Sequence, residues 1–511
     1  MCPLVHVRRF AVGGDSVTGL GDEPGERTRS EQANSSTATL FSAFAQPVQR
    51  TLEQRARRWH AGLPVRTSLG AQEELIGVLD WPLLTGPAPI ALSASAFAAA
   101  MWLLHATFRR RRLRVVTAVI CSCVLTAAVV TAAVAFLASN VWMLFPDRLD
   151  PAVYVWTGAG LFAAVVAGVH ALTGRSLRRA VVSLTAALVI VAACANQING
   201  AFGAYLTLRD ALGISQTDQV PFPVDRAGLR LLPDVDPTES RWSPPVWLAS
   251  RGILTSTPIP GLRSGFAARD AKIYLPPAYF SDPRPQLPVL VLLPGQPGTP
   301  QDWLGAGRLV RTMDAFAADR RGLTPVVVVV DGTGNRFGDP LCVDSRRGNA
   351  DTYLALDVPA WIKTHLTVDT DPQGWAIGGL SYGGTCALQL STNHPDVYPT
   401  FLDISGQSEP SLGDRQRTIA EAFGGDQRAF NRVNPLELLR ARRYPGSAAA
   451  IVVGAADRDA KSDARTVYMA VRAAGMNAHY TELPGAHNWQ TFSAALAHEL
   501  PWLAQRIGLT K

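Results

Sequence analysis

At 511 residues the chain is longer than one average domain, and 47% hydrophobic against 17% charged residues places part of it in lipid rather than in a purely soluble or disordered class. The formal charge of +7 is almost all arginine, and its densest run, Arg109 to Arg114, lies between two apolar segments, which favours membrane orientation over nucleic-acid binding. Six scattered cysteines, with no CxxC pair and no zinc spacing, exclude a disulfide scaffold and give no metal site.

Residues 1 to 80 are rich in Ser, Thr, Gly, Arg and Glu, lack sustained periodicity, and do not follow the order of a signal peptide. They are expected to be disordered or to be a spurious extension of the reading frame. A membrane domain is expected over 81–205, with four transmembrane helices at about 88–108, 115–137, 153–173 and 180–200, each near the roughly 20 residues needed to cross a bilayer. The fourth is the least apolar, because its end carries Asn196, Gln197 and Asn199. Cys121, Cys123 and Cys194 fall inside these segments as small packing residues. Arginines cluster in the first loop (Arg109 to Arg114) and the third (Arg175, Arg178, Arg179), whereas the second has Arg148 against Asp147 and Asp150. The first and third loops are therefore cytoplasmic, and everything after the fourth span is extracytoplasmic.

Residues 206 to 250 are rich in Pro, Asp and Ser and are expected to be a linker with little regular structure. Beyond them the pattern alternates. Strands are expected at Ala271–Leu275, Val289–Leu293, Val326–Val330, Trp375–Ile377, Thr400–Ile404, Ala448–Val453 and His479–Leu483, with helices such as Thr352–His365, Thr385–Asn393 and Asp463–Ala474 between several of them. Such alternation over 251–511 predicts an α/β domain with a mainly parallel, doubly wound sheet covered on both faces.

The stretch Gly379-Leu-Ser-Tyr-Gly383, ending a strand and opening an apolar helix, has the layout of a nucleophile elbow with Ser381 at its tip. A serine hydroxyl needs a base at neutral pH. Of the later histidines, His394 ends the elbow helix, His479 begins a strand and His498 lies on the terminal helix; His487 alone sits in a loop beyond the last strand. The acid belongs on the loop after the preceding strand, where Asp457 is the first candidate, Asp459 and Asp463 are alternatives, and Asp403 is a structural residue of its own strand. Donors for an oxyanion are the backbone N–H of Tyr382 and, from the loop Pro294-Gly-Gln-Pro-Gly298, that of Gln296. Cys342 and Cys386 are available to pair in an oxidising compartment, and spacing alone leaves the pairing open. Asp344, Arg346 and Arg347, on a loop at the sheet edge, either contact an anionic head group or serve as turn and capping residues, the second being the commoner outcome.

Taken together, the strand ending LLPG, Trp303, GLSYGG, LDISGQ, VGAAD and PGAHNW resemble the esterase family of α/β-hydrolases that includes esterase D, enterochelin-esterase-like enzymes and the antigen 85 mycolyltransferases. The resemblance covers about residues 250 to 505. It implies an α/β-hydrolase fold and a serine esterase or acyltransferase in which Ser381 attacks an ester, His487 relays protons, Asp457 orients it, and Gln296 and Tyr382 hold the oxyanion, without a cofactor. This chain departs from the pattern at Pro294, where many relatives have His, and in using Asp where the mycolyltransferases use Glu; the four spans are closer to multispan actinobacterial esterase-like proteins. The leading expectation is thus a membrane-anchored extracytoplasmic esterase acting on an envelope lipid or acylated sugar. The alternatives are an acyltransferase with the same triad and a catalytically silent binding module.

Overall fold

The computed structural model describes residues 77–108, 113–142, 144, 149–173, 176–214, 219–222, 230–232 and 237–511. The expectation for residues 1–80, Arg109 to Arg112, Asp147, Arg148 and Arg175 therefore lies wholly or almost wholly outside the described residues.

Four long helices come first: α1 (Pro87–Phe108), α2 (Leu113–Phe136), α3 (Pro151–Thr173) and α4 (Leu177–Phe202). Each is long and apolar enough to cross a membrane. Large apolar side chains such as Ile90, Phe97, Leu125 and Leu188 face outward, which is compatible with membrane spans. The polar end of α4 has a local use. Asn196 Nδ2 donates to the Leu83 carbonyl at 2.9 Å, and Asn199 exchanges two 2.8 Å hydrogen bonds with the backbone of Tyr205, beyond the C-terminal Gly203. These amides hold the chain where it leaves the helix.

The stretch expected to be a linker is partly docked. Trp242 is buried and donates from Nε1 to the Arg321 carbonyl at 2.8 Å, while the N–H groups of Thr238 and Glu239 bond to Gly508 and Leu509 at 2.9 and 3.0 Å. Its composition is that of a linker, but one aromatic anchor suffices to lay it on the domain it precedes.

The rest is built on one sheet. In chain order its strands are β1 (Gln219–Val220), β2 (Ile253–Thr257), β3 (Ala271–Leu275), β4 (Val289–Leu293) and β5 (Val326–Val329). A small hairpin, β6 (Asp344–Ser345) and β7 (Gly348–Asn349), intervenes before β8 (Trp375–Leu380), β9 (Thr400–Ile404), β10 (Ala448–Gly454) and β11 (Asn477–Leu483). The nine-stranded order is β1-β2-β3-β5-β4-β8-β9-β10-β11, antiparallel where β3 meets β2 and β5 and parallel elsewhere. All seven expected strands are present, and β1 and β2 are additional. Central strands such as Val289–Leu293 are buried along their whole length, which is why they are continuous apolar runs rather than alternating ones.

Helices α5 (Leu309–Asp319), α6 (Val358–His365), α7 (Tyr382–Asn393), α8 (Arg415–Phe423), α9 (Gln427–Val433), α10 (Pro435–Ala441), α11 (Arg458–Ala473) and α12 (Trp489–Arg506) complete this part. Parallel strands leave their carboxyl ends on one edge, and the β8, β10 and β11 ends feed the three loops that matter for chemistry.

Candidate active site

Strand β8 enters α7 through Ser381, whose backbone sits at φ +52°, ψ −121°. A non-glycine residue in this region is held there only by its surroundings. Here Ser381 N–H donates to the Ile404 carbonyl at 2.8 Å, fixing the turn to β9. The flanking glycines are needed for close approach: a side-chain carbon on Gly379 would overlap Gly383, and one on Gly383 would overlap the carbonyls of Leu293 and Pro294. The serine is thereby lifted to the strand edge with its hydroxyl free to meet a partner.

That partner is His487. Its Nε2 lies 3.0 Å from Ser381 Oγ, and its Nδ1 donates to Asp457 Oδ2 at 2.7 Å. The ring is also packed edge-on against Phe492, with centroids 5.0 Å apart, which limits its rotation. Asp457 is buried at the start of α11, where it also accepts from the Ala460 N–H at 3.4 Å. Burial opposes its ionisation, but the interaction with His487, aided by further hydrogen bonds that include the Ala460 N–H, outweighs that cost and holds its carboxyl below the usual carboxylate range. An ionised, buried carboxylate can keep the imidazole in the tautomer that accepts the serine proton.

The other candidates are placed elsewhere. Asp459 is exposed on the first turn of α11, and Asp463 accepts from Ser408 Oγ at 2.6 Å. Asp403 is fully buried and receives the Gly406 N–H at 2.8 Å; burial pushes its carboxyl up to about 7. His394 meets Asp351 at 2.8 Å, while His479 and His498 share Glu499 at 2.7 and 3.1 Å. Each of these histidines is committed to a carboxylate away from Ser381.

Tyr382 opens α7, so its backbone N–H belongs to the first turn, which has no acceptor within the helix. The loop after β4 lies directly alongside: a Cβ on Gly295 would come within 3.7 Å of Ser381 Cβ and 2.8 Å of Leu380 Cδ1. The Gln296 side chain is directed elsewhere, donating from Nε2 to the carbonyls of Leu144 at 3.2 Å and Phe337 at 3.3 Å. Three supports of this loop escaped sequence reasoning. Thr299 and Asp302 form a reciprocal cap, Arg269 Nη1 bonds the Gly298 carbonyl at 3.0 Å, and Arg269 is itself paired with buried Asp331 at 2.7 Å. The first had a visible signal, Thr-Pro-Gln-Asp, a cap followed three residues later by a carboxylate.

The loop singled out for anion binding is structural. Asp344 caps Thr352 through its N–H and hydroxyl at 3.0 and 2.5 Å, Arg347 Nε donates to the Asp339 carbonyl at 2.6 Å, and the Arg346 guanidinium lies against Gly424. Asp344 and Arg347 thus take the turn-and-cap alternative, while Arg346 is exposed.

Next to this loop Cys342 and Cys386 form a disulfide, with Cα atoms 5.5 Å apart and both residues buried. The Tyr382 hydroxyl receives the Cys342 N–H at 3.1 Å, so the bridge and the phenol together tie α7 to the loop beyond β5. Because the bridge closes a 44-residue separation, replacing both cysteines with alanine is expected to cost roughly 2–4 kcal/mol. A lower thermal midpoint of the full chain would register it.

An α/β sheet of this order, with a strained serine elbow and a histidine and aspartate on the loops after its later strands, defines an α/β-hydrolase. Residues 267–503 match the model of the family described as "Putative esterase". An uncharacterised protein of Corynebacterium glutamicum is 37% identical over 444 residues, which span 85% of this chain and 98% of that one. The S-formylglutathione hydrolase of Paracoccus denitrificans is 28% identical over 170 residues, 30% of this chain and 56% of its own. A solved S-formylglutathione hydrolase from Agrobacterium tumefaciens aligns with a TM-score of 0.44 at 19% identity, over 51% of this chain and 97% of that one. The chain belongs to this esterase family, an enzyme family of serine hydrolases and acyltransferases.

Proposed function

We propose that the protein is a membrane-anchored serine esterase that hydrolyses a carboxylic ester of an envelope lipid or acylated sugar on the extracytoplasmic side. The single observation that carries this reading is the unbroken relay from Asp457 through His487 to Ser381, with contacts of 2.7 and 3.0 Å, at a positive-φ elbow. In this reading Ser381 Oγ attacks the ester carbonyl as its proton passes to His487 Nε2, and the tetrahedral oxyanion is held by the N–H groups of Tyr382 and Gln296. The tetrahedral species collapses, the alcohol departs with the proton from His487, and an acyl group remains on Ser381. Water, giving its proton to the same imidazole, then attacks the acyl carbon, and the acid is released as the bond to Ser381 Oγ breaks and that oxygen takes the proton back from His487 Nε2.

Residues 81–205 serve as the membrane domain, 206–250 as the connection and 251–511 as the catalytic domain. The arginine-rich first and third loops support a cytoplasmic side for those loops and the opposite side for Ser381. A buried disulfide in the catalytic part agrees with an oxidising compartment.

The test is labelling with a membrane-impermeant fluorophosphonate on intact cells. The wild-type chain is expected to label and Ser381→Ala is not. Labelling of Ser381→Ala would refute the nucleophile, and labelling that appears only after lysis would refute the orientation.

A further inference from the structure

The catalytic loops meet the membrane helices on the side where α2 and α4 end. Gln296, on the loop beside Ser381, bonds to the carbonyl of Leu144, which follows α2. Arg417 of α8 reaches the carbonyls of Ser139 and Asn140 at 3.4 and 3.2 Å, in the π-helical turn Leu137–Val141 that ends α2. On the histidine side, a Cβ on Gly203 at the end of α4 would lie 3.8 Å from Trp489 N and 3.7 Å from Gln490 Cδ. The oxyanion loop and the histidine loop are therefore both seated against the helix ends.

Between α2 and α3 runs an apolar groove of about 430 Å³, lined by α2 from Val124 to Ala132 and by α3 from Tyr154 to Phe162. It exists because the facing positions are small: Ala128 and Ala132 on one wall and Gly158 on the other leave space that longer side chains would fill. It occupies the halves of both helices nearer the catalytic part, since α2 ends and α3 begins on that side. Only five helical steps, about 7.5 Å of rise, take Ala132 to the start of the Leu137–Val141 turn that Arg417 grips.

We propose that this groove holds the acyl chain of the substrate, so that a long-chain membrane ester enters from the bilayer and presents its carbonyl to Ser381. The inference rests on the serine-esterase reading and adds to it the substrate class. Hydrocarbon is the occupant that fits an apolar trough opening to lipid, and a volume of this size accommodates a chain rather than a head group. One wall of the groove is α2, the helix whose C-terminal turn and following residue Leu144 carry the contacts to Arg417 and Gln296 of the catalytic part. An ester anchored there has one end fixed in the membrane and the other at the catalytic edge, which lowers the entropic cost of reaching Ser381.

The experiment uses the full chain in lipid nanodiscs. For the wild type, kcat/KM for p-nitrophenyl palmitate is expected to exceed that for the acetate at least tenfold. In Gly158→Leu and Ala128→Trp, which fill the trough, the palmitate-to-acetate ratio is expected to fall at least tenfold. A ratio that does not change in variants still labelled by fluorophosphonate would overturn the groove. As a measurement independent of turnover, Ser381→Ala would be cross-linked to a palmitoyl ester carrying a diazirine near its chain end. Adducts concentrated in 124–132 and 154–162 are expected; adducts spread evenly over the four helices would overturn the proposal. Equal acetate hydrolysis by the wild type and Ser381→Ala would instead refute the serine reading, so the two failures are told apart.

Discussion

His487→Ala is expected to lower kcat on a short-chain ester by about 10⁵–10⁶-fold, close to the loss from removing the serine itself. The size follows from the geometry. Ser381 Oγ has a 3.0 Å contact to His487 Nε2, and every other described histidine after Ser381 is bound to a carboxylate elsewhere, so none stands ready as a substitute base. An alcohol without a base is a poor nucleophile at neutral pH, and the leaving alcohol would also depart unprotonated. The residual rate should come from oxyanion binding and positioning, which the substitution leaves in place. Stopped assays at high enzyme concentration, with fluorophosphonate labelling followed in parallel, would check it. A loss of less than 100-fold would mean that another group removes the proton.

How much of this was legible follows from how local each cause is. The elbow was readable because its strain is relieved within five residues: Gly379 and Gly383 must lack side chains where strand and helix touch. The expected strands were readable because parallel central strands are apolar on both faces. Strand β2, Ile-Leu-Thr-Ser-Thr, has a half-polar surface suited to its place near the sheet edge, and composition alone does not separate it from the preceding loop. Trp242 finds its acceptor 79 positions away at Arg321, and Gln296 meets Leu144 across 152 positions; no periodicity encodes such pairs. Asp457 and Asp459 share one loop-to-helix junction, and only the direction of the chain there separates the buried carboxylate facing His487 from the exposed one. For Arg347 the sequence offered charge at the right sheet edge, but its Nε is spent on the Asp339 carbonyl within the fold.

That separation yields the second large effect. Asp457→Asn is expected to reduce kcat and the rate of fluorophosphonate labelling together, by about 10⁴-fold, while leaving folded protein, whereas Asp459→Asn should remain within about twofold of the wild type. The asparagine is nearly isosteric, and its amide oxygen can still accept from His487 Nδ1 or its nitrogen can donate to it. The second arrangement stabilises the tautomer whose Nε2 carries the proton, so the ring no longer accepts from Ser381. Even in the first arrangement, a neutral amide does not stabilise the imidazolium formed as Ser381 attacks, a charge that the ionised Asp457, held below the usual carboxylate range, supports at 2.7 Å. Because Asp457 also begins α11, the thermal midpoint must be followed with the rate; asparagine is an equally good helix cap, so stability should change little while turnover collapses. An Asp459→Asn loss as large as that of Asp457→Asn would move the acid two residues along the chain, and a small effect of both would require a relay that ends at the histidine.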